Sequence, residues 1–446
     1  MKKLILLSLL ALTFSLSATP VDSSAAIKKA RIFWSQTFGK DAEITWVQNN
    51  DFPNLYLFDI NSNEGFVIVS ADDAARSILA YSCEGGITQK PNADVRYWLD
   101  LYQQEIEWAK SAPKSTTQDS DTQDSPIDHV APMLTSHWDQ SPYYNKFCPQ
   151  IEGEGRAVTG CGATAMAQVM RYHKHPAHGT GSHSYYHEHY GTISADFNVN
   201  YRWNLMPDKL DSETPGFKVD AVATLIYHCG VASDMDYSPA GSGAHAVEYF
   251  PGFVSSETAL KYYFNYDSTT LRHIFRDDMA SSSWDDSLRS ELRLSHPIIY
   301  TGFDSQSGHA FVCDGFDSLG LFHFNWGWSG SYDGYFVTTA LTPGPYLFTY
   351  GQQALLGIQP NAAPVSIESA DSHPFDVYPL PARQYVTIAG QQINQIELYD
   401  ISGRCHISNK GGDNNTLSLE TLPAGLYILR IITNDGQSYR LTLPHL

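Results

Sequence analysis

Residues 157–170 read Ala157-Val158-Thr159-Gly160-Cys161-Gly162-Ala163-Thr164-Ala165-Met166-Ala167-Gln168-Val169-Met170. Two glycines bracket a cysteine, and the alanine-rich run behind them has strong helical propensity. This pattern predicts a loop that turns into a helix at Cys161, with Thr159 able to cap it and Gly160 and Gly162 permitting close backbone approach. A thiol at a helix N-terminus feels the positive end of the macrodipole and unsatisfied N–H groups, which favour the thiolate. The same N–H groups can hold an oxyanion. The competing role for such a cysteine is a small buried hydrophobe; the flanking glycines and threonine favour the nucleophile.

A thiolate nucleophile needs a base, a group that orients the base, and donors for an oxyanion. For the base, Ser307-Gly308-His309-Ala310-Phe311-Val312 sets a histidine at the start of an apolar strand, after a glycine that lets a substrate backbone come close. For the orienter, Phe324-Asn325-Trp326-Gly327-Trp328-Ser329-Gly330 follows on the next expected strand. A hairpin would bring Asn325 beside His309, with the indoles excluding water. For the oxyanion, His137-Trp138-Asp139-Gln140-Ser141-Pro142 offers the Gln140 amide beside the N–H of Cys161.

Met1-Lys2-Lys3 and the apolar run Leu4 to Leu12, followed by small residues to Ala18, read as a signal peptide over 1–18. Residues 19–110 predict a small α+β domain, with helices at Ala25–Phe38 and Val95–Lys110 and strands at 56–60 and 65–70. Residues 111–130, rich in Ser, Thr, Gln and Asp, form an expected exposed linker and a natural site of proteolysis. Residues 131–360 form a central domain that begins with helices and ends in antiparallel strands. Short alternating strands in 375–446, among them Tyr385–Ile388, Ile396–Tyr399, Leu426–Ile431 and Tyr439–Leu441, predict a small β-sandwich.

The formal charge of -20 excludes a nucleic-acid partner, since no basic stripe is present to neutralise phosphates. After the leader no apolar stretch reaches the roughly 18 residues of a membrane span. The six cysteines are too scattered for a disulfide scaffold, which leaves the state of Cys148, Cys229 and Cys313 open. Histidines cluster at positions 173, 175, 178, 183, 187 and 189, but without an HExxH pairing they read as a polar surface rather than a metal site.

The segments around Gln140, Cys161, His309 and Asn325, in that order, resemble the streptopain family of secreted papain-like cysteine peptidases. The separation 309 - 161 = 148 residues lies within the roughly 130 to 150 of papain-like enzymes. Gly162 stands where papain itself has a tryptophan, which favours the streptopain branch. The resemblance implies an α+β fold: a papain-like peptidase domain, preceded by a small α+β pro-domain and followed by a small β-sandwich. It implies Cys161 as nucleophile, His309 as general acid/base, Gln140 as oxyanion support, and Asn325 and Trp326 as residues that position and shield the histidine. The stretch from Gly230 to Pro239 resembles the family's substrate cleft, so Ser242 and Gly308 are carried over as substrate contacts, and a hydrophobic second subsite is implied.

Residues 19–110 resemble the inhibitory pro-domain of these peptidases. The tail, with Tyr378-Pro379-Leu380-Pro381-Ala382 and Leu422-Pro423-Ala424-Gly425-Leu426-Tyr427, resembles a type IX secretion sorting domain. The expectation is a secreted or cell-surface cysteine endopeptidase, made as a zymogen and needing no cofactor or metal. Its expected partners are protein or peptide substrates, its own pro-domain and the secretion machinery. Two alternatives use the same residues: a cell-wall amidase or acyl transferase built on the dyad, and a non-catalytic surface-binding protein on a peptidase scaffold.

Overall fold

Asp22 starts the first helix by accepting the Ala25 N–H on its carboxylate at 2.8 Å, and Gly39 ends it in the left-handed conformation at φ 65°. The structure is a computed structural model that describes residues 19–88, 90–111, 128–151, 153, 155–303, 308–339, 351–361, 375–390, 393–412, 415–434 and 438–446. The expected signal peptide and positions 112–127 of the expected linker lie outside the described residues. The chain divides into two units after Asn361.

In the first unit α1 (Ser23–Phe38) packs on a meander of β1 (Ile44–Val47), β2 (Leu55–Ile60), β3 (Gly65–Ser70) and β4 (Ile78–Ser82), and α2 (Ala93–Ser111) follows. A small hairpin, β5 (Gln150–Ile151) and β6 (Gly155–Arg156), leads to α3 (Cys161–His173). A second hairpin, β7 (Ser182–His187) and β8 (Gly191–Asp196), precedes α4 (Gly216–Ala232), α5 (Ser256–Tyr262), β9 (Arg272–Phe275) and α6 (Ser281–Arg293). The remaining strands are β10 (Ile298–Phe303), β11 (Gly308–Phe316), β12 (Phe322–Asn325), β13 (Gly334–Phe336) and β14 (Gln353–Leu356).

Ten of these strands make one antiparallel sheet in the order β1-β2-β3-β4-β13-β12-β11-β10-β14-β9. The N-terminal meander and the central strands are therefore continuous, joined where Tyr81 of β4 pairs with Tyr335 of β13 and Ala80 with Phe336. Side chains alternate across a strand, and this divides the sheet's neighbours into two cores. Tyr300, Phe311, Cys313 and Phe324 enter the core that holds Trp98 of α2 and Trp284 and Leu288 of α6. Ile299, Val312 and Leu355 enter the core that holds α3 and α4.

Trp98 joins α2 to the central sheet. Its ring meets Tyr300, Phe311, Phe324 and Trp326 edge-on at centroid distances of 5.8, 5.7, 5.1 and 5.9 Å, a favourable geometry for aromatic rings. Its indole N–H donates to the Tyr102 hydroxyl at 2.8 Å, and that hydroxyl donates to the Val337 carbonyl at 2.6 Å.

The second unit stacks a three-stranded sheet against a four-stranded one. The strands are β15 (Asp376–Tyr378), β16 (Tyr385–Ala389), β17 (Ile393–Asp400), β18 (Cys405–Lys410), β19 (Asn415–Ser418), β20 (Gly425–Thr433) and β21 (Ser438–His445). The sheet orders are β15-β16-β19 and β18-β17-β20-β21, and Val386, Leu398, Leu429 and Leu443 fill the core between them. This is the β-sandwich expected from the alternating pattern.

Replacing Trp98 by Ala should lower the stability of the full chain by about 3–5 kcal/mol, the usual cost of deleting a buried tryptophan. Chemical denaturation followed by tryptophan fluorescence reads the loss; a change below about 1 kcal/mol would mean that α2 is not anchored through this ring.

Candidate active site

Cys161 opens α3, and Gly160 before it takes φ 86° and ψ 139°, a conformation open to glycine and strained for other residues. A Cβ on Gly160 would lie 2.5 Å from the Met235 sulfur. The expected cap differs in detail. Gly160 is the N-cap residue and no side chain caps the turn, because the Thr159 hydroxyl instead pairs with the Thr164 hydroxyl at 2.8 Å. The first turn thus lacks a competing side-chain acceptor where an oxyanion would sit. Residues 162–170 of α3 are all buried, so the helix is rigidly seated below the thiol.

The cysteines form no disulfide among the described residues. Burial pushes the Cys148 thiol up to about 12 and holds those of Cys229 and Cys313 well above the ordinary thiol range, which keeps them protonated and inert. Cys161 alone stands half-buried at a helix N-terminus, and its sulfur accepts the Ala310 N–H at 3.3 Å. A donor to sulfur favours the thiolate over the thiol. The Gly308 carbonyl oxygen lies 4.0 Å from the same sulfur.

The structure brings the predicted residues to one end of the sheet but does not put them on one face. Ala310 faces α3 and Cys161, so alternation turns the next side chain, His309, to the other face, with Phe311 and Cys313. There its ring lies 6.1 Å from the Tyr97 ring of α2. Tyr97 also covers Gly302, the residue paired with His309; a Cβ on Gly302 would come within 2.5 Å of the tyrosine ring. A bulge between Cys313 and Gly315 shifts the register of β12, so Asn325 pairs with Val312 on the α3 face. The amide oxygen of Asn325 accepts from Gln168 Nε2 at 2.9 Å and from the Gly327 N–H at 3.1 Å, and its Nδ2 donates to the Ser136 carbonyl at 2.8 Å.

Trp326 turns into the aromatic core, 4.4 Å from the Phe311 ring and 5.1 Å from Phe336, while its backbone N–H donates to Asp333 at 2.9 Å. The other Asp333 oxygen meets His137 Nδ1 at 3.2 Å; this bond raises the His137 imidazole above its ordinary value, and burial raises the Asp333 carboxyl. Gln140 sits in the loop beside the cysteine turn, where its carbonyl accepts the Thr159 N–H at 3.2 Å. The Ser242 hydroxyl points inward and donates to the Val158 carbonyl at 2.7 Å, so this residue holds the strand entering the cysteine turn. Gly308 is exposed at the start of β11. Among the described residues no cluster of His, Cys, Asp and Glu could hold a metal ion.

Gln168 was not singled out in the sequence, yet it is the node of this site. It is fully buried, and its Oε1 accepts the Ser136 hydroxyl at 3.0 Å and the Trp138 N–H at 3.1 Å while its Nε2 reaches Asn325. One amide thus ties the cysteine helix to the Gln140 loop and to β12. Its signal is readable afterwards: a polar residue seven positions after Cys161, on the same helix face, in an otherwise small and apolar run. Replacing Gln168 by Leu should cost about 1–3 kcal/mol for each polar group stranded and lower kcat/KM of the activated enzyme. Denaturation and steady-state kinetics check both; wild-type kinetics in the variant would remove Gln168 from the positioning of the site.

Comparison with known proteins agrees with this geometry. Residues 138–336 match the Peptidase C10 family, residues 18–106 the Spi protease inhibitor family and residues 376–442 the secretion system C-terminal sorting domain. The chain is 30% identical to streptopain of Streptococcus pyogenes over 69% of this chain and 81% of that protein. It is also 30% identical to the thiol protease/hemagglutinin PrtT of Porphyromonas gingivalis over 92% of this chain, and spans about half (49%) of that relative. The solved structure of a Prevotella intermedia prointerpain A fragment superposes with a TM-score of 0.61 at 34% identity, covering 71% of this chain and 98% of the fragment. No described helix is long and apolar enough to cross a membrane. The chain belongs to the streptopain, or C10, family of cysteine peptidases, and carries both the inhibitor-like N-terminal domain of a zymogen and the C-terminal sorting domain of a secreted or surface-attached protein.

Proposed function

We propose that Cys161 is the nucleophile and His309 the general acid/base of a secreted endopeptidase, and that the arrangement described above is its latent form. The observation that carries this reading is the meeting of α3 and β11, where the Ala310 N–H reaches the Cys161 sulfur one residue from His309. In the competent enzyme Cys161 Sγ gives its proton to His309 and attacks the scissile carbonyl carbon. The Cys161 N–H and the Gln140 amide hold the resulting oxyanion. Collapse breaks the C–N bond as the imidazolium returns its proton to the leaving amine, and an acyl-thioester remains. Water, deprotonated by His309, then releases the acid and restores the thiol.

In this reading the organisation is a pro-domain over 19–110, a linker over 111–130, a peptidase domain over 131–360 and a sorting domain over 375–446. The pro-domain blocks the site through α2, since Tyr97 occupies the face to which His309 is turned. Removal of α2 frees that face, and the exposed Gly308 gives the strand a pivot about which His309 can swing toward Cys161 and Asn325. Gly308 contacts the substrate backbone, Ser242 supports the cleft from below, and Trp326 anchors the end of β12. The substrates are proteins or peptides, and the sorting domain engages the secretion machinery.

Full-length wild type and Cys161→Ala, each incubated under reducing conditions, test this directly. Wild type should be cut within residues 111–130, read by mass spectrometry, and should then digest casein, while the variant does neither. Two intact and inert proteins would overturn the reading. Trp98→Ala in the wild-type background should convert faster, because a looser α2 exposes His309 sooner; slower conversion would mean that α2 does not impose the latency.

A further inference from the structure

Beyond the cysteine turn, a row of paired residues crosses the sheet to an aromatic cluster. Ala310, whose N–H reaches the Cys161 sulfur, pairs with Thr301; Thr301 pairs with Gln353, and Gln353 with Phe275. Four strands therefore present one row on the α3 face. With strands about 4.8 Å apart, Phe275 lies roughly 14 Å from Ala310, which is the reach of about four residues of extended peptide at about 3.4 Å each.

The loop before α5 builds a wall at the far end of this row. The Tyr249 hydroxyl accepts a hydrogen bond from Gln353 Nε2 at 2.8 Å, and its ring lies 6.2 Å from Phe275 and 5.5 Å from Phe253, with Phe250 a further 4.9 Å from Phe253. The loop is fixed against the catalytic helix region as well. The Ser256 N–H donates to the His245 carbonyl and the Glu257 N–H to that of Ala246, each at 2.9 Å, and the Ser256 hydroxyl is the heavy atom that a Cβ on Gly162 would approach, at 3.8 Å. Thr301 and Gln353 are buried, so they support the wall from beneath and a substrate meets only the rings. Those rings are open: Tyr249 is 44% and Phe250 60% exposed. A rigidly held, solvent-facing aromatic wall continuous with a catalytic row fits a ligand better than a core.

We propose that Tyr249, Phe250, Phe253 and Phe275 form a distal subsite that takes an aromatic or bulky apolar side chain of the substrate three or four residues from the scissile bond. The recognition is ring packing and apolar burial. The inference rests on the peptidase reading above and deepens it by assigning a second determinant of substrate class.

Activated enzyme prepared from the full chain is assayed on internally quenched peptides carrying Phe or Ala at single positions three and four residues to either side of the cut. A short chromogenic dipeptide substrate that cannot reach the wall is run beside them. The readout is the ratio of kcat/KM for Phe over Ala within each protein, so that any general loss cancels. Wild type should show a ratio of about ten at one of these positions, the scale on which an apolar pocket discriminates side chains. The ratio should fall to about one in Phe250→Ala and in Tyr249→Ala, and stay near wild type in Tyr249→Phe, which keeps the ring. A flat wild type that still turns over the short substrate overturns this inference alone, as does a ratio that survives both alanine variants. A wild type inert on every substrate, the short one included, removes the peptidase reading and this inference with it.

Discussion

A β-strand can show each side chain to only one face of its sheet, and this alternation governs the molecule. Along β10 and β11 it sends Tyr300 and Phe311 to one core and Ile299 and Val312 to the other, so each helix layer meets its own set of apolar residues. The same parity separates the chemistry. Cys161, the Gln140 loop and Asn325 belong to the α3 face, and His309 belongs to the face held by α2. Latency in this arrangement needs no distortion of the nucleophile. In the proposed reading it follows from which side of one strand a single imidazole occupies, and the N-terminal domain needs only to make the other side the better packed.

The α3 face is held together by buried side-chain hydrogen bonds. Gln168, Asn325, Ser136 and the Trp138 N–H form a buried polar network in which the amide oxygens each take two donors and both Nε2 and Nδ2 find acceptors. Such networks rigidify a site when satisfied and are costly when one member is lost. Here the network links three segments that are distant in sequence: the helix carrying the thiol, the loop carrying Gln140 and the strand after the histidine. Three of the other thiols are buried and held protonated by their surroundings.

Local patterns in the sequence carried the parts of this site that depend on local physics. A glycine-bracketed cysteine before an alanine-rich helix, a histidine at the start of an apolar strand and the alternating strands of the C-terminal sandwich are all encoded within a dozen residues. What was not legible depends on pairings between distant segments. The short strand at Gly334–Phe336 reads locally and pairs with its neighbour β12, but its pairing with β4, more than two hundred positions away, was not legible. Asn325 was expected beside His309 across a hairpin; a bulge at Cys313/Gly315 moves its partner from Cys313 to Val312 and so turns it to the α3 face, where its amide oxygen accepts from Gln168 and Gly327. Thr159 has the right chemistry for a cap, but the sharp turn at Gly160 takes that position and leaves the threonine to Thr164.

The way the N-terminal domain is attached sets how latency ends. It adds β4 to the edge of β13 and buries Trp98 among four rings, an association by strand addition and aromatic packing. In the proposed reading, a cut beyond α2 leaves the β4–β13 pairing and the Trp98 packing in place. It changes the effective concentration, since a tethered domain is held near its site far above its bulk concentration. After the cut the domain dissociates at a rate fixed by its own packing and rebinds in proportion to its bulk concentration. On this reading lasting activity depends on dilution or on digestion of the freed domain.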